Sequence, residues 1–196
     1  MTINIRKSCK GVEQLMRIAF LVAPEGVEQV ELTDPWQAVR DAGGEPVLVS
    51  TRPGEVQAFH HLDKADTFPV EKTVAELAAT GAEGFDALVL PGGVANPDHL
   101  RTDPDAVAFV RDFFTRGLPV AAICHAAWTL VEADVVRGRT LTSWPSLATD
   151  IRNAGGTWVD QQVKVCTGGP NVLVTSRRPD DLKAFDAALL EQVSGV

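Results

Sequence analysis

Short apolar segments alternate with amphipathic segments along the chain. Strands are predicted where about four to eight apolar residues run together, at residues 17–23, 46–50, 85–90 and 118–123. Helices are predicted where apolar positions recur every three or four residues, over residues 30–42, 105–116 and 179–193. Weaker patterns predict two short strands, and a Gly-rich turn between two further strands predicts a late β-hairpin, at residues 56–59, 67–70, 163–165 and 171–175.

The predicted core strands are apolar on both faces, and helices lie between them in the sequence. This order is typical of a mostly parallel sheet that is covered by helices on both sides. No repeat or linker divides the chain, so we expect residues 17–196 to form a single α/β domain. Regular hydrophobic patterning begins only near Leu15, and residues 1–16 are therefore predicted to be a flexible N-terminal extension.

Composition narrows the possible partners and compartment. The net charge is −8 and no basic stripe is present, so we expect no nucleic-acid partner. No apolar segment has the roughly 18 residues that a membrane span needs, and the N-terminus does not resemble a secretory signal. An odd number of irregularly spaced cysteines, Cys9, Cys124 and Cys166, predicts neither a disulfide framework nor a zinc site. A reducing, cytoplasmic location is therefore expected.

Cys124 is the strongest indication of chemistry, because it lies between a predicted strand and a predicted helix and is followed by His125. This strand-turn-helix position is that of a nucleophile elbow. A helix N-terminus favours negative charge, so the thiol is expected to tend toward thiolate. The alternative is a cysteine that only packs in the core. His125 is either a proton carrier or a solvent-facing residue at the helix start.

Two other groups follow predicted strands and are expected at the same edge of the sheet. Glu28 precedes the first helix and could donate a hydrogen bond to the sulfur if burial keeps it protonated. Glu25 and Glu31 compete for that role. The backbone N–H groups of Gly92-Gly93 could form an oxyanion hole. Neither a phosphate-binding nor a dinucleotide-binding motif occurs, and the histidines have no metal-ligand spacing, so no cofactor or metal is predicted.

From residue 17 to the C-terminal helix, the sequence resembles the PfpI branch of the ThiJ/PfpI superfamily. The segments that carry the resemblance occur in the same order, at residues 27–32, 85–93, 119–125, 137–143 and 174–182. The resemblance implies a flavodoxin-like three-layer sandwich and activity as a homodimer or larger ring. The usual Cys-His-Gly is Cys124-His125-Ala126 in this chain.

The resemblance also implies a set of functional residues. Cys124 would be the nucleophile, His125 its imidazole partner and Glu28 the acidic residue beside the thiol. Gly93 and His125 would supply the N–H groups of the oxyanion hole. Asp98 would complete a triad from a neighbouring subunit.

Two functions are open at this point. The first is a cysteine-dependent hydrolase linked to stress protection, which would be peptidase-like, deglycase-like or glyoxalase-like and would act on a peptide or a reactive aldehyde adduct. The second is a non-enzymatic redox sensor or chaperone that uses an oxidisable Cys124. A glutamine amidotransferase is disfavoured, because no histidine follows His125.

Overall fold

The computed structural model of the chain describes residues 6–9 and 12–194. Its strands are β1 (Arg6–Cys9), β2 (Val12–Leu15), β3 (Arg17–Val22), β4 (Glu25–Glu28), β5 (Glu45–Ser50), β6 (Glu55–His60), β7 (Asp63–Pro69), β8 (Lys72–Thr73), β9 (Ala87–Leu90), β10 (Val120–Ile123), β11 (Thr140–Leu141), β12 (Thr157–Trp158), β13 (Val163–Cys166) and β14 (Leu173–Ser176). Its α-helices are α1 (Gln29–Asp41), α2 (Ala95–Leu100), α3 (Pro104–Thr115), α4 (Ala127–Glu132), α5 (Ala148–Asn153) and α6 (Leu182–Ser194). Short 3-10 turns occupy Cys124–Ala126, Pro145–Leu147 and Pro179–Asp181.

Seven strands form the central sheet in the order β13-β14-β10-β9-β3-β5-β8. All neighbours are parallel except β13, which pairs antiparallel with β14. Side chains of β9 alternate between two core clusters, with Leu88 and Leu90 on one face and Ala87 and Val89 on the other. Helices α3, α4 and α5 pack on the first face, and α1 and α6 on the second. The predicted three-layer α/β sandwich and its late hairpin are therefore confirmed.

The strand order positions a site. The chain goes from β3 to β5 on one side, and then crosses to β9 and β10 on the other side. In parallel sheets, a reversal of this kind leaves a crevice at the carboxyl ends of the strands that flank it. The residues that follow β3, β9 and β10 are therefore brought together.

Two elements near this crevice, β4 and α2, have no apolar pattern that predicts them. Residues 25–28 form β4, which pairs in parallel with β6, and the two weak strand patterns form the antiparallel pair β6 and β7. Helix α1 begins directly after Glu28 and continues through Pro35, which lies inside the helix. Helix α2 follows the Gly-Gly loop.

The flexible extension predicted at residues 1–16 lies partly outside the described residues and stays a prediction. Residues 6–9 pair antiparallel with residues 12–15, while residues 1–5, 10 and 11 lie outside the described residues. Within the described part of the chain, no helix is long and apolar enough to cross a membrane.

Candidate active site

Cys124 lies on a sharp turn between β10 and the helical segment that leads into α4. Its backbone φ is +63°, a left-handed conformation that is uncommon and strained for a residue with a side chain. The N–H of Trp144 donates to the Cys124 carbonyl at 3.0 Å, and a side chain on Gly92 would place its Cβ 2.6 Å from the Cys124 Cβ. The strand-turn-helix geometry that the sequence predicts is therefore present, and its neighbours hold it in place.

The imidazole of His125 lies directly beside the sulfur. Nδ1 of His125 is 3.1 Å from Sγ of Cys124, and the ring stacks on Trp144 at a centroid distance of 5.4 Å. Trp128 borders the ring on another side at 5.3 Å. Burial among these groups lowers the pKa of His125, because it disfavours the charged imidazolium. The ring is therefore neutral at pH 7 and able to accept a proton from the thiol.

The acidic residue that contacts the sulfur is Glu31 and not Glu28, which corrects the assignment drawn from the sequence. Glu31 is fully buried in the first turn of α1, and its Oε2 accepts the N–H of Gly92 at 3.0 Å. Its carboxyl group lies beside the Cys124 thiol, and its Oε1 has no hydrogen-bond partner among the described residues. Burial raises the pKa of Glu31 to about 8, and the nearby charge of Glu28 adds to this effect. At pH 7 the carboxyl group is therefore protonated and able to donate to the sulfur.

The position of the helix start explains the correction. Glu28 is the last residue of β4, and its Oε2 accepts the N–H of His61 at 3.0 Å. Glu25 is exposed at the beginning of the same strand. Glu31 lies on the buried stripe of α1 together with Pro35 and Val39, at the four-residue spacing that keeps side chains on one helix face. A carboxyl group on an otherwise apolar stripe was the signal in the sequence that could have identified it.

Burial of the Cys124 thiol opposes the thiolate that a helix N-terminus is expected to favour. Burial raises the pKa of Cys124 well above its usual range, and the negative charge of an ionised Glu31 would raise it further. The N–H groups of His125 and Gly93 act in the opposite direction. Because loss of water is the larger effect, sulfur and imidazole form a neutral pair, and ionisation has to accompany the reaction.

Two backbone N–H groups lie close to the sulfur, from the residues that the family resemblance implies for an oxyanion hole. The N–H groups of Gly93 and His125 both hydrogen-bond the Cys124 side chain. Gly93 has φ +81°, and a Cβ there would collide with the Gly26 carbonyl oxygen. Buried Asn96 holds the loop: its Oδ1 accepts the Ala23 N–H at 2.7 Å, and its Nδ2 donates to the carbonyls of Pro91 and Gly92 at 2.9 and 3.0 Å.

The sulfur opens into a cleft of about 170 Å³. Its walls are formed by residues of six separate segments, namely Glu28, Glu31, His61, Leu62, Gly93, Val94, Cys124, His125, Trp144 and Pro179. Asp98 is not among them: it lies exposed on α2, so a single chain does not bring it to the thiol. Among the described residues, no group of three or more His, Cys, Asp or Glu side chains is arranged to hold a metal ion.

Comparison with known proteins agrees with this architecture. The model of the DJ-1/PfpI family matches residues 16–192, and the chain belongs to this family. It is 42% identical over 174 residues to protein/nucleic acid deglycase 2 of Escherichia coli, which covers 89% of this chain and 95% of the relative. It is 38% identical over 170 residues to deglycase PfpI of Pyrococcus furiosus, and the match covers 87% of this chain and 95% of the relative. The crystal structure of Drosophila melanogaster DJ-1beta superposes with a TM-score of 0.79 at 26% identity, covering 93% of this chain and 92% of the other.

Proposed function

We propose that the protein is a cysteine-dependent hydrolase of the deglycase type, which removes α-oxoaldehyde adducts from amines or thiols. The observation that carries the proposal is the cluster at Cys124, where a neutral imidazole, a protonated carboxyl group and two N–H groups surround one strained thiol. The names of the Escherichia coli and Pyrococcus furiosus relatives support the same class of reaction.

The first step replaces the amine of a hemiaminal by sulfur. Sγ of Cys124 bonds to the hemiaminal carbon, the carbon–nitrogen bond breaks, and His125 takes the thiol proton and passes it to the departing amine. A proton shift between the two former glyoxal carbons then converts the hemithioacetal into a thioester. Water hydrolyses the thioester to an α-hydroxy acid and restores the thiol. Gly93 and His125 N–H groups stabilise the negative oxygen in the last two steps.

The dimensions of the cleft favour a small adduct over a polypeptide. A cleft of about 170 Å³ is below the roughly 300–1,000 Å³ of typical small-molecule sites. An α-oxoaldehyde adduct has only a few heavy atoms at its reacting end, and the carrier can remain outside. An extended peptide would have to place its backbone and several side chains in the same space.

The test measures the free amine released from the methylglyoxal adduct of N-acetyllysine, the free thiol released from that of N-acetylcysteine, and the α-hydroxy acid formed from both. An unfolded protein serves as the peptidase substrate. Cys124→Ala is expected to lose activity by roughly a thousandfold or more. Cys166→Ala is the matched control, because Cys166 is also a buried free cysteine but lies on β13 outside the cleft. Equal turnover by wild type and Cys124→Ala would refute the proposal.

The alternative of a redox sensor or chaperone has less support from the site. Oxidation of cysteine proceeds through the thiolate, and burial raises the pKa of Cys124. The His125 imidazole at 3.1 Å supplies a proton carrier, which a sensor does not need.

We also propose that the protein acts in the cytoplasm as a self-assembled dimer or larger ring in which Asp98 of one copy reaches the site of another. Support comes from the exposure of Asp98 on α2, close in sequence to cleft residue Val94. Mixing inactive Cys124→Ala with inactive Asp98→Asn tests it by complementation. Random pairing in a two-fold dimer should restore about a quarter of wild-type sites, whereas no restoration would refute a shared site.

A further inference from the structure

The mouth of the cleft is surrounded by exposed apolar side chains. Among the described side chains, four large hydrophobic residues are exposed, and three of them line this cleft: Leu62 at 91%, Val94 at 58% and Trp144 at 36% exposure. They come from three different loops of the chain. Scattered single hydrophobic residues need no explanation on a protein surface, but their convergence around a reactive sulfur indicates a binding role.

The loop that carries Leu62 is held by a specific contact. His61 and Leu62 form the turn between β6 and β7, and His61 has a left-handed φ of +58°. The Glu28 carboxylate, almost completely buried, accepts the His61 N–H at 3.0 Å. Nδ1 of His61 is 3.6 Å from the same oxygen, although the imidazole itself is exposed. Glu28 therefore ties the hairpin tip to the start of α1, next to Glu31.

The Glu28 side chain accepts a hydrogen bond from His61, whereas the Glu31 carboxyl group lies beside the sulfur. We define Leu62, Val94 and Trp144 as the apolar rim. The hydrogen bond from His61 to Glu28 lies next to Leu62, which is the most exposed of the three. A buried carboxylate that fixes a strained turn is an arrangement that positions the neighbouring side chain.

We infer that the apolar rim selects adducts whose aldehyde part carries an apolar substituent, with Leu62 as a specificity-determining residue and Glu28 as a positioning residue that holds Leu62 over the cleft. This inference rests on the proposed hydrolase function. An apolar substituent that packs against the rim is removed from water, and binding is strengthened in proportion to the apolar area buried. Between hydrophobic substrates that differ in this way, kcat/KM differs by about ten- to 200-fold.

The experiment compares kcat/KM for N-acetylcysteine adducts of glyoxal and phenylglyoxal, at about pH 6 so that Glu31 stays protonated below its pKa of about 8. Wild type is expected to prefer the phenylglyoxal adduct by about tenfold or more. Leu62→Ser should reduce this preference about fivefold, mainly through KM. Glu28→Ala should reduce it similarly, and Glu28→Gln should restore it, because the amide oxygen still accepts the His61 N–H.

Leu15→Ser is the matched control, because Leu15 is exposed at 43% but lies outside the cleft, and it should leave the preference unchanged. A second readout does not need turnover: Cys124→Ala is titrated with mandelate and lactate, which differ in a phenyl and a methyl group. Tighter binding of mandelate that is lost when Leu62→Ser is added shows that the rim binds apolar substituents, whether or not the adducts are turned over. The inference is overturned if Leu62→Ser or Glu28→Ala keeps the wild-type preference for the phenylglyoxal adduct. The hydrolase proposal is tested separately, by the dependence of turnover on Cys124.

Discussion

The buried carboxyl group of Glu31 should make the stability of the protein depend on pH in an unusual direction. In the unfolded chain Glu31 ionises near its ordinary pKa of 4.5, whereas burial in the folded chain raises this pKa to about 8. Between these values the folded state holds a proton that the unfolded state has lost. The free energy of unfolding therefore falls as pH rises, by about 1.4 kcal/mol for each pH unit.

Over the whole interval this effect amounts to roughly 5 kcal/mol, a large part of the stability of an ordinary domain. The contribution is complete below about pH 4.5 and is lost once the pH exceeds about 8. Glu31→Gln removes it, because the amide keeps an oxygen for the Gly92 N–H and an N–H for the sulfur but never ionises. The variant should match wild type near pH 5 and be more stable at pH 8 and above.

Urea denaturation from about pH 5 to about pH 9, at one protein concentration, measures the difference. The other titrating groups are common to both proteins, so the difference in unfolding free energy isolates Glu31. Glu191→Gln is the control, because Glu191 is an exposed glutamate on α6, and its curve should run parallel to that of wild type. Parallel curves for wild type and Glu31→Gln would show that Glu31 is not held protonated.

Three further outcomes are expected. Gly92→Ala should lower the melting temperature and abolish turnover, because the added Cβ would lie 2.6 Å from the Cys124 Cβ and overpacking of this kind costs about 1–3 kcal/mol; unchanged turnover would contradict the tight contact. Asn96→Ala should destabilise the protein by about 3 kcal/mol or more in urea denaturation, because three buried backbone groups lose their partner; a loss below about 1 kcal/mol would show that water replaces it. The acid limb of kcat/KM against pH should have its midpoint below 6.5, since burial lowers the pKa of His125; a midpoint above 6.5 would exclude this imidazole as the base.

Much of the fold could be predicted because its signals are local. A strand such as β9 is apolar at every position, and that pattern requires burial on both faces whatever the rest of the chain does. Gly117 marks the end of α3 because a positive φ suits glycine at that place. Strand β4 and helix α2 were missed because they are short and have no periodic pattern of their own.

The residues of the active site also differ in whether a local sequence signal identifies them. The sequence by itself determined that Cys124 and His125 follow a core strand, and that Gly92-Gly93 follows its neighbour, because strand ends can be located from hydrophobicity alone. Only the tertiary structure decided that Glu31 contacts the sulfur while Glu28 holds His61. Three carboxyl groups within one short segment differ only in the direction in which the strand and the first helical turn point them.

The protonation states were also beyond the sequence. A sequence motif can indicate that a cysteine lies at a helix N-terminus, and the helix dipole there favours a thiolate. Burial acts in the opposite direction, and its extent depends on how closely Glu31, Trp144 and the Gly-Gly loop surround the thiol. These groups are distant in the sequence, and desolvation arises from all of them together, so only the packed structure determines which effect is larger.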